Sequence, residues 1–358
     1  MDPARFADDL TAIPGALRRL AEALTTGLPG LERARTLLAP PRLRVLVLGM
    51  GSSAYAAAVV AREARSLGRD VVVELASTAL LPPPADDLVV VAVSATGGSA
   101  EVLDAIEPYR GTGRLIAVTN VEDSPLAVRA DLVVPLLAGV EASGVSCRTF
   151  RHTLVVLAAL LRPAVPVGRA SAAGPGAGAG AGAAGVPELL GMRDPAALAR
   201  DAAASAEELL GSAASWIDDV DRLLGGPDGT FLLAPVERLS SAQQSALMLR
   251  EVPRRPAWAS ETGDWSHVDV YLSKTLDYRA LLFAGSAWDA AALEWLGSRR
   301  ATVVLVGSSP VASADLHVRY RGDDDPAIAL LVEPLVAELL AARWHRADPD
   351  FAWSRSLS

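Results

Sequence analysis

Two short loops carry most of the chemistry in this sequence. GMGSS (49–53) and SATGGSAE (94–101) combine glycines with the hydroxyls of Ser52, Ser53, Ser94, Thr96 and Ser99. Glycine lets a chain approach an anion closely, and hydroxyls add neutral donors beside the backbone N–H groups, so each loop can cradle a phosphate without a lysine. Neither is a Walker loop, because GxxxxGK[ST] is absent, and no GxGxxG is followed at the expected distance by an acidic ribose ligand. A glycine–serine turn after a strand is often only a turn; two on successive junctions of one sheet say more. Amine-based covalent catalysis has one side-chain candidate, Lys274, the only lysine among 33 basic residues. The single cysteine, Cys147, excludes a disulfide framework and multi-Cys zinc or iron–sulfur sites, and the four histidines are scattered, so no metal or cofactor is expected.

For the loops to act together, one sheet edge must present both. RLRVLVLG (42–49) and DLVVVAVS (87–94) are continuous apolar runs rich in β-branched residues, as expected of strands buried on both faces of a parallel sheet. AYAAAVVAREARSLG (54–68) and SAEVLDAIEPY (99–109) read as helices, RLIAVTN (114–120) and DLVVPLL (131–137) continue the alternation, and TLVVLAALLRP (153–163) closes it as a buried helix. This alternation predicts a doubly wound α/β sheet. Both loops then fall where strand C-termini meet helix N-termini, the ends that favour anions. The second half repeats the plan: a helical stretch (195–224), GTFLLAP (229–235), a helix over SSAQQSALMLREV (240–252), ALLFAG (280–285), AALEWLG (291–297), ATVVLVG (301–307) and a terminal helix (325–344). Between the halves, the small-residue tract 168–186 buries nothing and reads as a flexible linker.

At 358 residues, 51% hydrophobic against 21% charged, the chain buries large cores. No run of eighteen apolar residues is free of charge, proline or polar break, so no membrane span is expected. The opening MDPARFADDLTAIPGALRRL carries acids and no apolar h-region, so the expectation is a cytoplasmic protein without a secretory leader. A net charge of −9 argues against a nucleic-acid partner.

The ordered motifs resemble the SIS (sugar isomerase) family, in particular the isomerase half of glucosamine-6-phosphate synthase and the SIS-type glucosamine-6-phosphate deaminases. IPGALRRL (13–20) is similar to the helix that precedes the family's first SIS domain, GMGSS stands at its C/G-G-T-S loop and SATGGSAE at its S-Q-S-G-E-T-x-[DE] loop. TNVEDSPLAVRAD (119–131) resembles its N-x-x-x-S-x-L run, with Arg129 one place later than usual, and EASGVSCRTF (141–150) resembles E-I-G-V-A-S-T-K-x-F. ALMLREV (246–252) is similar to A-L-K-L-K-E-[IV], and GDWSHVD (263–269) to G-E-L-K-H-G-P. The resemblance implies two tandem SIS domains: a helical segment 1–30, a first domain 31–165, the Ala/Gly-rich linker 166–190, a second domain 191–345 and a tail 346–358 that closes the site.

It also implies roles. Ser52, Ser53, Ser94, Thr96 and Ser99 hold a sugar phosphate; Gly144, Val145 and Ser146 line the sugar; Glu251 is the catalytic glutamate and His267 the ring-opening histidine. Moving a carbonyl between C1 and C2 needs a carboxylate to carry a proton between adjacent carbons, and an imidazole suits opening of the cyclic hemiacetal. The departures are Ala95 for the usual Gln, Gly98 and Gln244 for Glu, Met248 for Lys, Asp264 for Glu, and, at the tail, Arg355 for the lysine. A guanidinium stays protonated and forms no Schiff base. The expected activity is aldose–ketose isomerisation or deamination of a hexose or hexosamine 6-phosphate, in at least a homodimer, without the cysteine glutaminase domain of a full synthase. A phosphoglucose/phosphomannose-type isomerase and a non-catalytic sugar-phosphate sensor are the alternatives.

Overall fold

The computed structural model describes residues 3–40, 42–162, 190, 193–309 and 313–347. Three helices open the chain: α1 (Pro3–Thr11), α2 (Ile13–Thr26) and α3 (Leu31–Leu37). The apolar runs then form a parallel sheet of β1 (Arg44–Gly49), β2 (Asp70–Leu75), β3 (Leu88–Ser94), β4 (Leu115–Thr119) and β5 (Leu132–Pro135) in the order β2-β1-β3-β4-β5. β3 and β4 are buried along their whole length, which is why their sequences are unbroken runs of Val, Ile, Leu and Ala up to a closing hydroxyl residue. α4 (Ser52–Ser66), α5 (Ala100–Ile106), α6 (Pro125–Arg129) and α7 (Arg148–Leu161) complete this half.

The second half has α8 (Pro195–Ser212), α9 (Ile217–Leu224), α10 (Leu239–Glu251), α11 (Thr262–Trp265), α12 (Asp289–Ser298), α13 (Pro326–Val332) and α14 (Pro334–Ala347). Its parallel sheet contains β6 (Thr230–Ala234), β7 (Ala257–Glu261), β8 (Arg279–Phe283), β9 (Thr302–Val306) and β10 (Leu316–Val318), in the order β10-β9-β8-β6-β7. Exchanging β6 to β10 for β1 to β5 reproduces the order of the first sheet, so the two halves share one topology. The main core lies between the sheets and draws on α4, α7, α8, α10, α13 and α14. Smaller clusters cover the outer faces.

The fold differs from the sequence expectation at its margins. β2, β7 and β10 were not expected, because each is a sheet-edge strand with partly exposed residues and so lacks a continuous apolar run. The helical stretch 195–224 is interrupted by a 3₁₀ turn over Ala213–Ser215, and the terminal helix breaks before Pro334, whose ring and missing N–H stop the preceding turn. AALEWLG is part of α12. The helix expected over 153–163 starts earlier, at Arg148, and all fourteen residues of α7 are buried. Within it, Arg151 forms a fully buried pair with Glu338 of α14, at 2.9 Å from Nη1 and 2.8 Å from Nη2, and its remaining donors reach Leu331 O and Cys147 O. The opening helices bind to the second half as well as the first: α2 packs on α8 and α1 on α14. Apart from Leu190, the expected linker lies outside the described residues, as does the tail beyond Ala347.

Candidate active site

Register brings the two loops together. Leu48 of β1 lies opposite Ala92 of β3, so the chain leaves both strands at nearly the same level, at the point where the strand order reverses. Gly51 (φ 51°) turns the chain into α4, whose N-terminus no side chain caps. Ser52 is half-buried and Ser53 buried. In the second loop Ser94 Oγ accepts from Gly97 N (3.1 Å) and lies 3.3 Å from Ser99 Oγ. Thr96 is exposed and Ser99 half-buried.

This second loop is braced from behind by the TNVEDSPL run. Asn120 N donates to Ala95 O (3.1 Å) and Leu126 N to Gly97 O (3.0 Å). Ser124 Oγ accepts from Ala127 N to cap α6, and it fills the space that a Cβ on Gly97 (φ 64°) would need. Glycine is therefore required at 97 on two counts, backbone conformation and room.

A third wall comes from residues 141–147. The Glu141 carboxylate accepts from Arg148 N (2.6 Å), Thr149 N (3.3 Å) and Thr149 Oγ1 (2.5 Å), and burial pushes its carboxyl above the usual range. Asp9 of α1 accepts from Ala142 N (3.1 Å), Ser143 N (2.8 Å) and Ser143 Oγ (2.7 Å), and pairs with Arg148 (2.9 Å). The wall is thus held from two elements distant in sequence. Gly144 (φ 79°) is exposed and Ser146 half-buried, whereas the Val145 side chain belongs to the main core and leaves only its backbone for a ligand.

One buried side chain ties these parts to the second half. Gln244 of α10 donates from Nε2 to Ser146 O (2.9 Å) and accepts at Oε1 from Ser52 Oγ (2.7 Å). Sequence reasoning singled out Gln244 only as a departure from a motif. Asp9, Glu141, Asn120 and Ser124 likewise carry no local signal of the bracing they perform.

Glu251 ends α10 two turns beyond Gln244 on nearly the same face, about 10 Å along the axis. Solvent reaches it, yet the protein packed around it raises its carboxyl, with Arg250 opposing the shift. His267 is exposed and follows α11, its backbone N–H donating to Asp264 O (2.8 Å). Glu251 precedes β7 and His267 follows it, and a five-residue strand spans about 16 Å. Within one chain the two therefore stand toward opposite ends of the second sheet's edge. Arg355 lies outside the described residues.

Among the described residues no group of three or more His, Cys, Asp or Glu side chains is placed to hold a metal ion, and no helix is long and apolar enough to cross a membrane. Residues 37–162 match the family model of the SIS domain. The isomerizing glutamine–fructose-6-phosphate aminotransferase of Aeropyrum pernix is 32% identical over 267 residues, covering 72% of this chain and 40% of that protein, so the chain spans less than half the length of this curated relative. The C-terminal domain of the glucosamine–fructose-6-phosphate aminotransferase of Francisella tularensis has the same fold, with a TM-score of 0.74 at 18% identity over 95% of this chain and 96% of that one. The tagatose-6-phosphate ketose/aldose isomerase of Escherichia coli gives 0.68 at 16% identity over 97% and 95%. The family match lies on the sheet that carries both hydroxyl loops, so residues 37–162 are a SIS domain, and the chain as a whole shares its fold with these structures.

Proposed function

We propose that this protein moves a carbonyl between C1 and C2 of a hexose or hexosamine 6-phosphate, as an aldose–ketose isomerase or, where C2 bears an amine, as a deaminase. The observation that carries this reading is the pair of neutral, hydroxyl-lined loops at the β1/β3 switch point, whose leading helix amides have no side-chain cap. A phosphate there meets Ser53, Ser94, Thr96 and Ser99, and the sugar extends toward the backbone of residues 144–146. Glu251 takes the proton from one carbon and returns it to the next through an enediol or enolamine; its raised carboxyl suits a base working nearer neutrality. For an amino sugar, water then releases ammonia from the resulting imine, with no redox step. Arg355, always charged, serves a phosphate or a developing oxyanion rather than an imine.

His267 opens the ring, and the chain topology supports its arriving from a second copy, since it and Glu251 flank β7 from opposite ends. Val268, Tyr271, Trp288 and Trp295, on and around α11 and α12, are exposed apolar side chains that such a copy can cover. We therefore assign a homodimer.

The test is NMR of purified protein with hexose and hexosamine 6-phosphates in deuterated water, following carbonyl migration, ammonia release and deuterium entry at C1 or C2. Absence of binding to any of them removes the reading, and binding without exchange leaves a phosphosugar sensor. Co-refolding Glu251→Gln with His267→Ala chains separates shared from single-chain sites. A shared site recovers about a quarter of wild-type activity, because half of the dimers are mixed and each has one intact site; no recovery places both groups in one chain.

A further inference from the structure

We propose that Gln244 sets the hydrogen-bond polarity of Ser52, so that Ser52 meets the ligand as an acceptor, from a sugar hydroxyl or an ammonium group, and not as a donor to the phosphate. The proposal rests on the reading that a phosphosugar occupies the β1/β3 crevice, and it revises the role expected for Ser52 within that crevice.

The argument is a count of protons. The Ser146 carbonyl has only lone pairs, so the Gln244 atom 2.9 Å from it is the amide NH₂. The other end of the amide is then Oε1, which also has only lone pairs, and it lies 2.7 Å from Ser52 Oγ. The single hydroxyl proton of Ser52 is therefore committed to Gln244. What Ser52 can offer a ligand is lone pairs. A phosphate oxygen placed against it would set acceptor against acceptor, whereas a sugar hydroxyl or an amino sugar's ammonium brings the missing proton.

The second loop gives the opposite count. Ser94 and Ser99 hold two hydroxyl protons, at most one is used in their mutual contact, and the backbone donor of Gly97 already satisfies a lone pair of Ser94. This pair retains a proton for an anion. The crevice thus has a donor side at Ser94–Ser99 and an acceptor side at Ser52, which orients a ligand carrying phosphate at one end and a hydroxyl or amine at the other. Gln244 is completely buried, so water cannot stand in for either partner, and turning the amide over would set its oxygen against the Ser146 carbonyl and lose that bond, which fixes the orientation shown. Because Gln244 sits on α10, this polarity is imposed on the first half by the second.

Calorimetry with two probes, glucosamine 6-phosphate and inorganic phosphate, tests it. Ser52→Ala is expected to weaken glucosamine 6-phosphate about fivefold while inorganic phosphate stays within about twofold, and Ser52→Thr, which keeps the hydroxyl, to restore binding. Ser94→Ala is expected to weaken both probes. Gln244→Met frees the Ser52 proton, so inorganic phosphate should bind as well as before or better while glucosamine 6-phosphate binds less well. An equal loss of both probes in Ser52→Ala overturns the proposal and leaves the phosphosugar reading standing; a wild-type protein that binds neither probe removes that reading instead. Should Gln244→Met fail to melt cooperatively, the Ser52 pair decides the matter alone.

Discussion

The crevice between β1 and β3 has a topological twin between β6 and β8, and the two are filled in opposite ways. In the second, Arg238 lies buried at the strand ends, donating to Ala284 O and to Glu333 at 2.5 Å. The loop amides of Gly285 and Ser286, which could meet an external anion, donate instead to Asp289 Oδ2 at 2.6 and 3.0 Å. Gly285 (φ 128°) makes room for the guanidinium, which lies 2.8 Å from where a Cβ would stand. A cavity of about 210 Å³ remains at the mouth, and Glu237, Asp323 and Asp324 make it acidic. The second crevice thus carries its own anion and cation, while the first presents neutral hydroxyls and leaves the charge to a ligand. The same topology offers an anion site in both halves, and internal side chains decide which of them is free. The coupling between the halves is mutual: Gln244 of α10 reaches the first crevice, and Arg62 of α4 donates to Val236 O (2.7 Å) at the second.

If ligand chemistry belongs to the first crevice alone, substitutions should divide into those that change turnover or binding and those that change stability. The largest effect is expected for Glu251→Gln, with turnover reduced about 10²- to 10⁴-fold and phosphosugar affinity retained, measured by solvent deuterium exchange and calorimetry. If Glu251 is the base it acts deprotonated, and because burial raises its carboxyl, wild-type activity should fall with decreasing pH earlier than an ordinary exposed glutamate would dictate.

Next comes Arg238→Met, which strands the fully buried Glu333. It is expected to cost about 3–5 kcal/mol in urea unfolding, with ligand affinity of the folded protein unchanged, and Arg238→Met with Glu333→Leu should regain most of the loss. Loss of phosphosugar binding in a stable double variant would break the division between the crevices. In the first crevice, Ser94→Ala or Ser99→Ala should each cost about 1.5–3 kcal/mol of phosphosugar binding, as for a hydrogen bond to a charged group, while Ser286→Ala in the twin should leave binding unchanged.

The smallest effect is on pH dependence. Burial raises the Asp289 carboxyl, so its contribution to stability is fully present below the unfolded-state value near 4 and declines as pH rises through the folded value. Asp289→Asn should flatten that part of the stability profile, and an unchanged profile would mean that Asp289 is fully solvated.

The central strands and the loops between them were legible because their signals are local. β1, β3 and β4 are buried on both faces, so every residue is constrained, and the glycines and hydroxyls of 49–53 and 94–99 mark tight turns wherever the sheet places them. β7 was not legible, since its outer residues Trp258 and Glu261 face partly into solvent. Asn120 and Ser124 stood within a recognisable run, but their bracing of Ala95 and Gly97 depends on β3 and β4 lying side by side. Arg238, Asp289 and Glu333 read as ordinary charged residues in sequence, and only burial turns them into the filling of a crevice.

The sequence by itself determined the α/β class, the repeated plan of two halves and the position of the hydroxyl loops, because hydrophobic period and turn chemistry act over a few neighbouring residues. Only the tertiary structure decided which crevice is open and which way its donors face. Arg238 meets Glu333 across 95 positions and Ser52 meets Gln244 across 192. The strength and direction of such contacts come from desolvation and from the proton each partner has left to give, and neither quantity exists until the chain has packed.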